Sequence, residues 1–311
     1  MLVVEAAPSL KRAVEAWFER GELTTTAPII IRVIESAVVV PPRADPPVND
    51  RDGGMIWIPS ASASSIDIYW PERRSAVAVD MAAGSATITV SPEVVREFEH
   101  HAQWALVAPA ALLLRRDGRF HLHAAAARSP LGRGWLIVGD SASGKSTTAA
   151  AMARRGWVVA TDDVAFLERA ANGEAVIRGL RSQIALRPAG LELLKAAGGD
   201  GLGPRTKEGY WPERLGGAWE PTVVPDVVVF TQVSTGGTVL ERISRGTALK
   251  GIFQRSSWSL LAPDRALEHL ELVRDVVARA ECFSARIAPD LLAAPGLFED
   301  FLNRSHDAVR S

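Results

Sequence analysis

The sequence predicts an α/β protein in which a smaller, mainly β region precedes a larger region where strands alternate with helices. Three observations support this prediction. Short β-branched or aromatic runs occupy residues 28–90, a long apolar helical pattern follows them, and a glycine-rich loop after residue 138 lies between an apolar strand and a helix. We therefore expect an N-terminal domain over residues 1–117 and a C-terminal domain over residues 118–311.

The composition is that of a globular protein without a strong charge bias. The 311 residues suffice for one large core or two smaller ones, and 47% of them are hydrophobic and 23% charged. A net charge of −1 excludes the basic footprint of a nucleic-acid-binding protein. The apolar runs are too short or too interrupted to span a bilayer, and no signal peptide is visible. We expect a cytoplasmic protein without nucleic-acid or membrane partners, and leave homo-oligomerisation open.

The single cysteine, Cys282, excludes an intramolecular disulfide and fits a reducing compartment. It falls in an amphipathic helical pattern, so the sequence predicts that it is buried on a helix.

The N-terminal region contains two predicted helices and a set of short strands. Ser9 as N-cap and Gly21 as the residue after the C-terminus bound the first helix. Ser91 as N-cap and Pro92 at the first helical position open the second, which continues to Leu114 and which we interpret as a bridge between the domains. The strands, predicted to be mainly antiparallel, are Pro28–Val33, Met55–Ile58, Ile66–Trp70, Ala76–Val79 and Ala86–Val90.

The C-terminal region alternates between strand and helix patterns. The predicted strands are Arg119–Ala127, Trp135–Val138, Trp157–Ala160, Val176–Leu180, Ile184–Leu186, Val227–Phe230 and Val239–Ile243. The predicted helices are Ser146–Arg155, Thr247–Leu261, Pro263–Glu281 and Pro289–Asn303.

Residues 139–146 read Gly-Asp-Ser-Ala-Ser-Gly-Lys-Ser, the complete G-x-x-x-x-G-K-[ST] pattern of a phosphate-binding loop. The preceding apolar strand and the following helix supply the context in which such a loop functions. Lys145 is expected to reach the β and γ phosphates of a nucleoside triphosphate, and the Ser146 hydroxyl to ligate Mg²⁺. The predicted nucleotide-binding residues are Gly139, Asp140, Ser141, Ala142, Ser143, Gly144, Lys145, Ser146 and Thr147.

Asp162 and Asp163 directly follow the strand that comes after the loop helix. Ligands of open α/β sheets bind at the carboxyl ends of the strands, so both carboxylates are expected near the phosphates. One can hold Mg²⁺, and the other can accept the proton of an attacking hydroxyl. We predict Asp162 as a metal ligand and leave open which of the two acids is the base. The alternative is a solvated turn at a strand end.

His121 and His123 alternate on a predicted strand and so share one face of it. A packed or solvated pair is one interpretation, and a two-histidine metal site without a visible third ligand is another. A third interpretation places His123 beside the acidic pair, where it would modulate the charge of the carboxylates.

The order of these segments resembles the bacterial HPr kinase/phosphorylase family and its relatives. The resemblance runs from His123 to Val164 through a strand, the loop, a short helix ending in Arg-Arg-Gly, and the Asp-Asp pair. It implies a phosphoenolpyruvate-carboxykinase-like nucleotide-binding fold and phosphorylation of serine hydroxyls with ATP and Mg²⁺. It also implies that His123 is the active-site histidine, that Lys145 is the catalytic loop lysine, with Ser146 beside it, and that the two aspartates are the catalytic acidic pair.

The chain departs from that family further along. HPr kinases carry a later Glu-hydrophobic-Arg-Gly-Leu-Gly stretch, whereas this chain has Val176 followed by Ile177-Arg178-Gly179-Leu180, too close to the acidic pair. We transfer no role to this stretch. The sequence resembles more closely the divergent relatives found beside peptide-modifying genes, including kinases of lasso-peptide precursors.

These observations predict a kinase that transfers the γ-phosphoryl group of ATP to a hydroxyl, with serine expected, of a peptide, protein or small acceptor. Arg187, Arg205 and Lys207 are candidate cationic contacts, with ordinary solvated surface charge as the alternative. Residues 198–219 are a candidate closing loop for the acceptor, with a surface insertion without a role as the alternative. One alternative is a nucleotide-dependent switch or ATPase that binds a partner. The other is a hydrolase, because residues 139–142 begin like a nucleophile elbow, although Ser143 replaces the final glycine.

Overall fold

The fold is taken from a computed structural model, which describes residues 1–40, 49–51, 54–57, 65–96, 98–187, 190, 208–256, 265–288 and 300. The chain divides into two compact units. The first consists of Met1–Phe120 and Trp258–His269, and the second of His121–Ser257 and Leu270–Ser311. The sequence placed the boundary at residue 117 but assigned the whole C-terminal part to one domain.

The first unit is built on a sheet to which the described residues contribute seven strands, in the order β1-β2-β7-β6-β5-β4-β3. β1 and β7 run parallel to β2, and the remaining pairs are antiparallel. The strands are β1 Leu2–Glu5, β2 Ile29–Glu35, β3 Asn49–Arg51, β4 Gly54–Trp57, β5 Ser65–Trp70, β6 Ser75–Asp80 and β7 Ser85–Val90.

The helices that the described residues of this unit form beside the sheet are α1 Pro8–Glu19, α2 Pro92–Arg96 and α3 Phe98–Leu113. α1 buries Leu10, Val14, Trp17 and Phe18, and it contacts α3, which also contacts β6. Within this unit α3 therefore covers the sheet. A 3₁₀ turn, Leu114–Asp117, follows α3 and ends at Gly118, whose φ of 73° is left-handed.

The predicted start of the first helix in this unit is wrong. α1 begins at Pro8 with Ala7 as its N-cap residue, so Ser9 lies inside the helix. Proline at the first helical position fixes φ and needs no N–H acceptor, which places the start two residues earlier than predicted. The helix predicted from Pro92 to Leu114 agrees with α2 and α3, between which residue 97 lies outside the described residues, and only its last residue falls in the 3₁₀ turn.

The second unit contains a mixed sheet in which ten strands of the described chain take part, with the main order β16-β12-β11-β8-β9-β17-β19-β18. β10 pairs with β8 and with β15, and β13 pairs with β14 as a separate ribbon. The strands are β8 Phe120–Arg128, β9 Gly134–Val138, β10 Val158–Thr161, β11 Val164–Arg169, β12 Ala175–Gly179, β13 Ile184–Leu186, β14 Glu208–Tyr210, β15 Ala218–Trp219, β16 Thr222–Val223, β17 Val227–Val233, β18 Val239–Arg242 and β19 Glu281–Ile287. The mixed α/β class predicted from the sequence is confirmed.

The helices described in the C-terminal part of the chain are α4 Lys145–Ala153, α5 Arg245–Gln254 and α6 Ala266–Arg279. α4 is alanine-rich, and its buried side chains join a core cluster with Trp135, Ile137, Val229 and Phe283. Small side chains allow this helix to approach the sheet closely, which holds its N-terminus at the end of β9. None of the helices in the described ranges is both long and apolar enough to cross a membrane.

Cys282 is buried, with 5% of its surface exposed, but the predicted helix around it is wrong. It lies on β19, which runs parallel to β17 and pairs Cys282 with Val228. A partner strand some fifty positions earlier in the chain overrides the local helical periodicity. Apart from residue 300, the helix expected over Pro289–Asn303 lies outside the described residues.

The strand directions bring the predicted functional segments to one edge of this sheet. β9 and β17 are parallel, so the loop after Val138 and the end of β17 meet there. β8 runs antiparallel to β9 and pairs Ala124 with Val138, which places His123 level with the first loop residue. β10 is antiparallel to β8, so the residues after Thr161 lie at the same edge.

Candidate active site

The loop of residues 139–144 connects β9 to the first residue of α4. A Cβ atom on Gly139 would lie 2.2 Å from Ser143 Oγ and 2.9 Å from the carbonyl oxygen of Thr231, so only glycine fits. Gly144 has a φ of +95° and Ala142 a φ of +64°, both in the left-handed region. These conformations turn the chain into the helix and leave its N-terminal N–H groups facing the loop, where an anion is favoured.

Lys145 is 5% exposed and is held by three acceptors. Its Nζ lies 2.9 Å from the carbonyl oxygen of Gly139, 3.0 Å from that of Asp140 and 2.9 Å from His123 Nε2. An ammonium group has three N–H donors, so all of them are used. Burial lowers the pKa of Lys145, and the neighbouring carboxylates of Asp163 and Asp140 oppose that shift. A phosphate can contact Lys145 only by replacing one of these three acceptors.

His123 connects the lysine to the acidic pair. Its Nδ1 lies 2.8 Å from Asp163 Oδ1, and its Nε2 faces the Lys145 ammonium. The ammonium can only donate, so Nε2 accepts and Nδ1 carries the proton that is donated to Asp163. The hydrogen bonds thereby select one neutral tautomer of His123. The three side chains form a continuous hydrogen-bonded chain from the loop to the carboxylate.

Asp162 is the buried member of the acidic pair, with 3% of its surface exposed. Its carboxylate accepts a hydrogen bond from the Ser146 hydroxyl, and Oδ2 accepts another from the N–H of Ala185 at 3.2 Å. Burial, and then the adjacent negative charge of Asp163, raise the pKa of Asp162 to about 6. Asp162 is thus turned toward the helix N-terminus, beside the hydroxyl predicted to ligate Mg²⁺.

Asp163 is the accessible member, with 54% of its side chain exposed. Desolvation by the surrounding protein opposes its ionisation, but the hydrogen bond from His123 and the charge of Lys145 outweigh that effect and hold the pKa of Asp163 below its usual value. Half of this side chain is in contact with solvent, so burial opposes ionisation less than the hydrogen bond from His123 favours it. The two neighbouring carboxylates therefore differ in access, partners and pKa.

A cleft of about 730 Å³ opens beside the loop. One wall is the loop itself, from Gly139 to Ser143. The other is formed by the ends of β17 and β19, by Glu241 on β18 and by Arg255 after α5. The hydroxyl of Ser143 lies 3.2 Å from that of Thr231 on β17, which fixes the loop against this wall. The sequence did not single out Thr231 or Arg255, because no local pattern distinguishes them from ordinary strand and surface residues.

The other residues that the sequence predicted to contact a substrate differ in where they lie. Arg187 is exposed, and Arg205 and Lys207 lie outside the described residues. Within the candidate closing loop, Trp211 and Trp219 flank the guanidinium of Arg181 at 5.5 and 5.7 Å. This cluster joins the loop region to β10, because Trp219 Nε1 also donates to the Ala160 carbonyl at 3.0 Å.

The described part of the chain contains no group of three or more His, Cys, Asp or Glu side chains placed to hold a metal ion. His121 is buried and stacks edge-on against Phe166, and burial lowers its pKa to about 3. These observations favour the packed interpretation of His121 over a two-histidine metal site. Mg²⁺ does not need a group of three protein ligands, because one or two carboxylates together with substrate phosphates complete its coordination.

The strand, the loop and the helix carry the complete phosphate-binding sequence pattern within a mixed α/β fold. No protein-family profile and no curated protein matches the chain. Among solved structures, it is similar to the HPr(Ser) kinase/phosphatase from Coxiella burnetii, with a TM-score of 0.33 and 14% sequence identity over 61% of this chain and 96% of that chain.

Proposed function

We propose that this protein is a kinase that uses ATP and Mg²⁺ to phosphorylate a hydroxyl group, with serine of a peptide or protein as the expected acceptor. The observation that carries the proposal is the chain of Lys145, His123 and Asp163 at the mouth of the phosphate-binding loop. It joins a group suited to hold the transferred phosphate to a group suited to accept a proton. A loop that only binds nucleotide needs the first of these and not the second.

The difference between the two aspartates supports separate roles for them. Asp163 is accessible, has a lowered pKa and is therefore ionised and available to accept a proton near neutral pH. Asp162 is buried beside Ser146, and these two residues would hold Mg²⁺. When bound, Mg²⁺ neutralises charge on the phosphate oxygens. We assign the base to Asp163 and the metal to Asp162 with Ser146.

The acceptor hydroxyl gives its proton to an Asp163 carboxylate oxygen, its oxygen forms a bond to the γ phosphorus, and the bond between that phosphorus and the β–γ bridging oxygen breaks, so that ADP leaves. Lys145 donates to the phosphate oxygens and offsets their charge. His123 donates to Asp163 from Nδ1, which keeps the carboxylate oriented.

Incubation with γ-labelled ATP, Mg²⁺ and an extract or the peptides encoded nearby tests the proposal. Label should appear in an acid-stable phosphoester on an acceptor, and Asp163→Asn should abolish it while the variant still binds ATP. Release of free phosphate alone, with every acceptor unlabelled, would instead support the nucleotide-dependent switch.

A further inference from the structure

We propose that Arg255 is a further catalytic residue, which exchanges its ion pair with Asp140 for the terminal phosphate of the bound nucleotide. The inference rests on the proposed function, because it concerns the same phosphoryl transfer. The juxtaposition that points to it is a largely buried guanidinium, paired with an exposed carboxylate of the phosphate-binding loop, in the wall of the cleft.

Arg255 is anchored by its backbone. It is the C-cap residue of α5, and its carbonyl oxygen accepts a hydrogen bond of 3.0 Å from the N–H of His123. Arg255 is therefore tied to the strand that carries the active-site histidine. Because its main chain is held, a rotation of the side chain is enough to move the guanidinium between two nearby acceptors.

The present partners of the guanidinium leave donors to spare. Nη2 lies 2.9 Å from Asp140 Oδ2, while Nη1 donates to the carbonyl oxygen of Gly251 at 3.4 Å and to Gln254 Oε1 at 3.2 Å. The Nε–H is buried and finds no acceptor among the described residues. A guanidinium carries five N–H donors in a planar fork that matches phosphate oxygens. Arg255 is thus under-satisfied in a site built for an anion.

The two partners of the ion pair differ in solvent exposure, so the pair can separate and Arg255 can take another partner. The side chain of Arg255 is 21% exposed, whereas that of Asp140 is 80% exposed. Releasing Asp140 returns a carboxylate to water at little cost, because it is already largely hydrated. A triphosphate carries several negative charges, so its arrival favours the guanidinium and repels the carboxylate. Both effects move Arg255 from Asp140 to the phosphate.

Arg255 also acts at the same point as Lys145. Its positive charge lowers the pKa of Lys145, so the two cations lie within electrostatic range of each other. Two neighbouring cations at the mouth of a phosphate-binding loop are stabilised when an anion binds between them. In phosphoryl transfer generally, an arginine supplied in this way offsets the charge on the equatorial oxygens of the transferred group.

A static bridge between Arg255 and Asp140 would serve only to hold the loop, and the two interpretations predict different behaviour of the two partners. If the bridge is structural, Arg255→Ala and Asp140→Asn should impair transfer to a similar degree. If Arg255 moves to the phosphate, Arg255→Ala should lower kcat by about 10³-fold or more. Asp140→Asn should instead tighten the binding of ATP with Mg²⁺ about threefold, because a competing negative charge is removed.

The experiment compares the rate of γ-phosphate turnover and the affinity for ATP with Mg²⁺ in the wild type, Arg255→Ala, Arg255→Lys and Asp140→Asn. Arg169→Ala is the matched control. Arg169 lies at the end of β11 that is farther from Asp163, and it forms an ion pair of 2.6 Å with Asp275. We expect the control to retain wild-type turnover. Added guanidinium ion should partly restore turnover to Arg255→Ala, which a merely structural role would not produce.

The outcomes separate this inference from the proposed kinase activity. The role of Arg255 alone would be overturned if the wild type labels an acceptor and if Arg255→Ala and Asp140→Asn lose equal amounts of phosphoryl transfer. Free phosphate from the wild type with a selective loss in Arg255→Ala would overturn the kinase but keep Arg255 as a residue of phosphate cleavage. If Arg255→Ala does not fold, Arg255→Lys decides, since wild-type kcat in that variant contradicts the need for the planar fork. A wild type without any turnover overturns both.

Discussion

Replacement of Lys145 by alanine tests the nucleotide-binding loop most directly, and the structure sets the size of the effect. A hydrogen bond from a charged group to phosphate contributes about 1.5–3 kcal/mol. Lys145 already donates to three neutral protein acceptors, so only the difference between a contact with charged phosphate and an existing contact affects affinity. We take this difference as roughly half of a full charged contact, or about 1–1.5 kcal/mol for each N–H that changes partner.

This difference corresponds to a rise in the Kd for ATP of about 5- to 15-fold in Lys145→Ala if one N–H changes partner. If two do, the doubled free energy gives a rise of about 30- to 150-fold. Titration calorimetry with ATP and Mg²⁺ measures this quantity, and the exposed Lys250 on α5 provides a matched control, because Lys250→Ala removes the same charge away from the loop. An affinity for ATP that is the same in Lys145→Ala as in the wild type would refute the assignment of the loop.

Three further results are expected. Asp162→Asn and Asp163→Asn should each remove most phosphoryl transfer while at least one still binds ATP with Mg²⁺; near-full transfer in both would show that the pair is a structural turn. The raised pKa of Asp162 means that its neutral form is favoured on folding, so without nucleotide the free energy of unfolding should decrease as the pH rises from about 4 to about 6. Asp162→Asn should remove this decrease in thermal unfolding curves, and an unchanged pH profile would contradict the burial of the carboxyl group. Replacing residues 198–209, which contain Arg205 and Lys207, by a short Gly-Ser linker should spare ATP binding and abolish transfer; retained transfer with an unchanged KM for the acceptor would exclude this segment from acceptor binding.

Much of the fold could be predicted because most of its elements have local signals. The strands around the loop and those of residues 65–90 agree with their predicted bounds to within about two residues. Local periodicity failed where pairing partners decide the structure. β19, which carries Cys282, has a helical apolar spacing, but it fills the space beside β17 and forms a parallel pair with it. The short strands β15 and β16 have only two residues each and carry no signal of their own.

The sequence by itself determined those features of the candidate site that lie within a few consecutive residues. The phosphate-binding loop lies within eight consecutive residues, and its Lys145 and Ser146 start the helix whose N-terminus favours an anion. The placement of Asp162 and Asp163 at the end of a strand also follows from the sequence, because strand ends at one sheet edge lie together.

Only the tertiary structure decided how these groups connect. Adjacent residues at a strand end point in opposite directions, so burial separates Asp162 beside Ser146 from Asp163 in solvent. His123 meets Lys145 across 22 residues, and Arg255 meets Asp140 across 115. Contacts at such separations depend on strand order and register, which a single sequence encodes only through the packing of the whole domain.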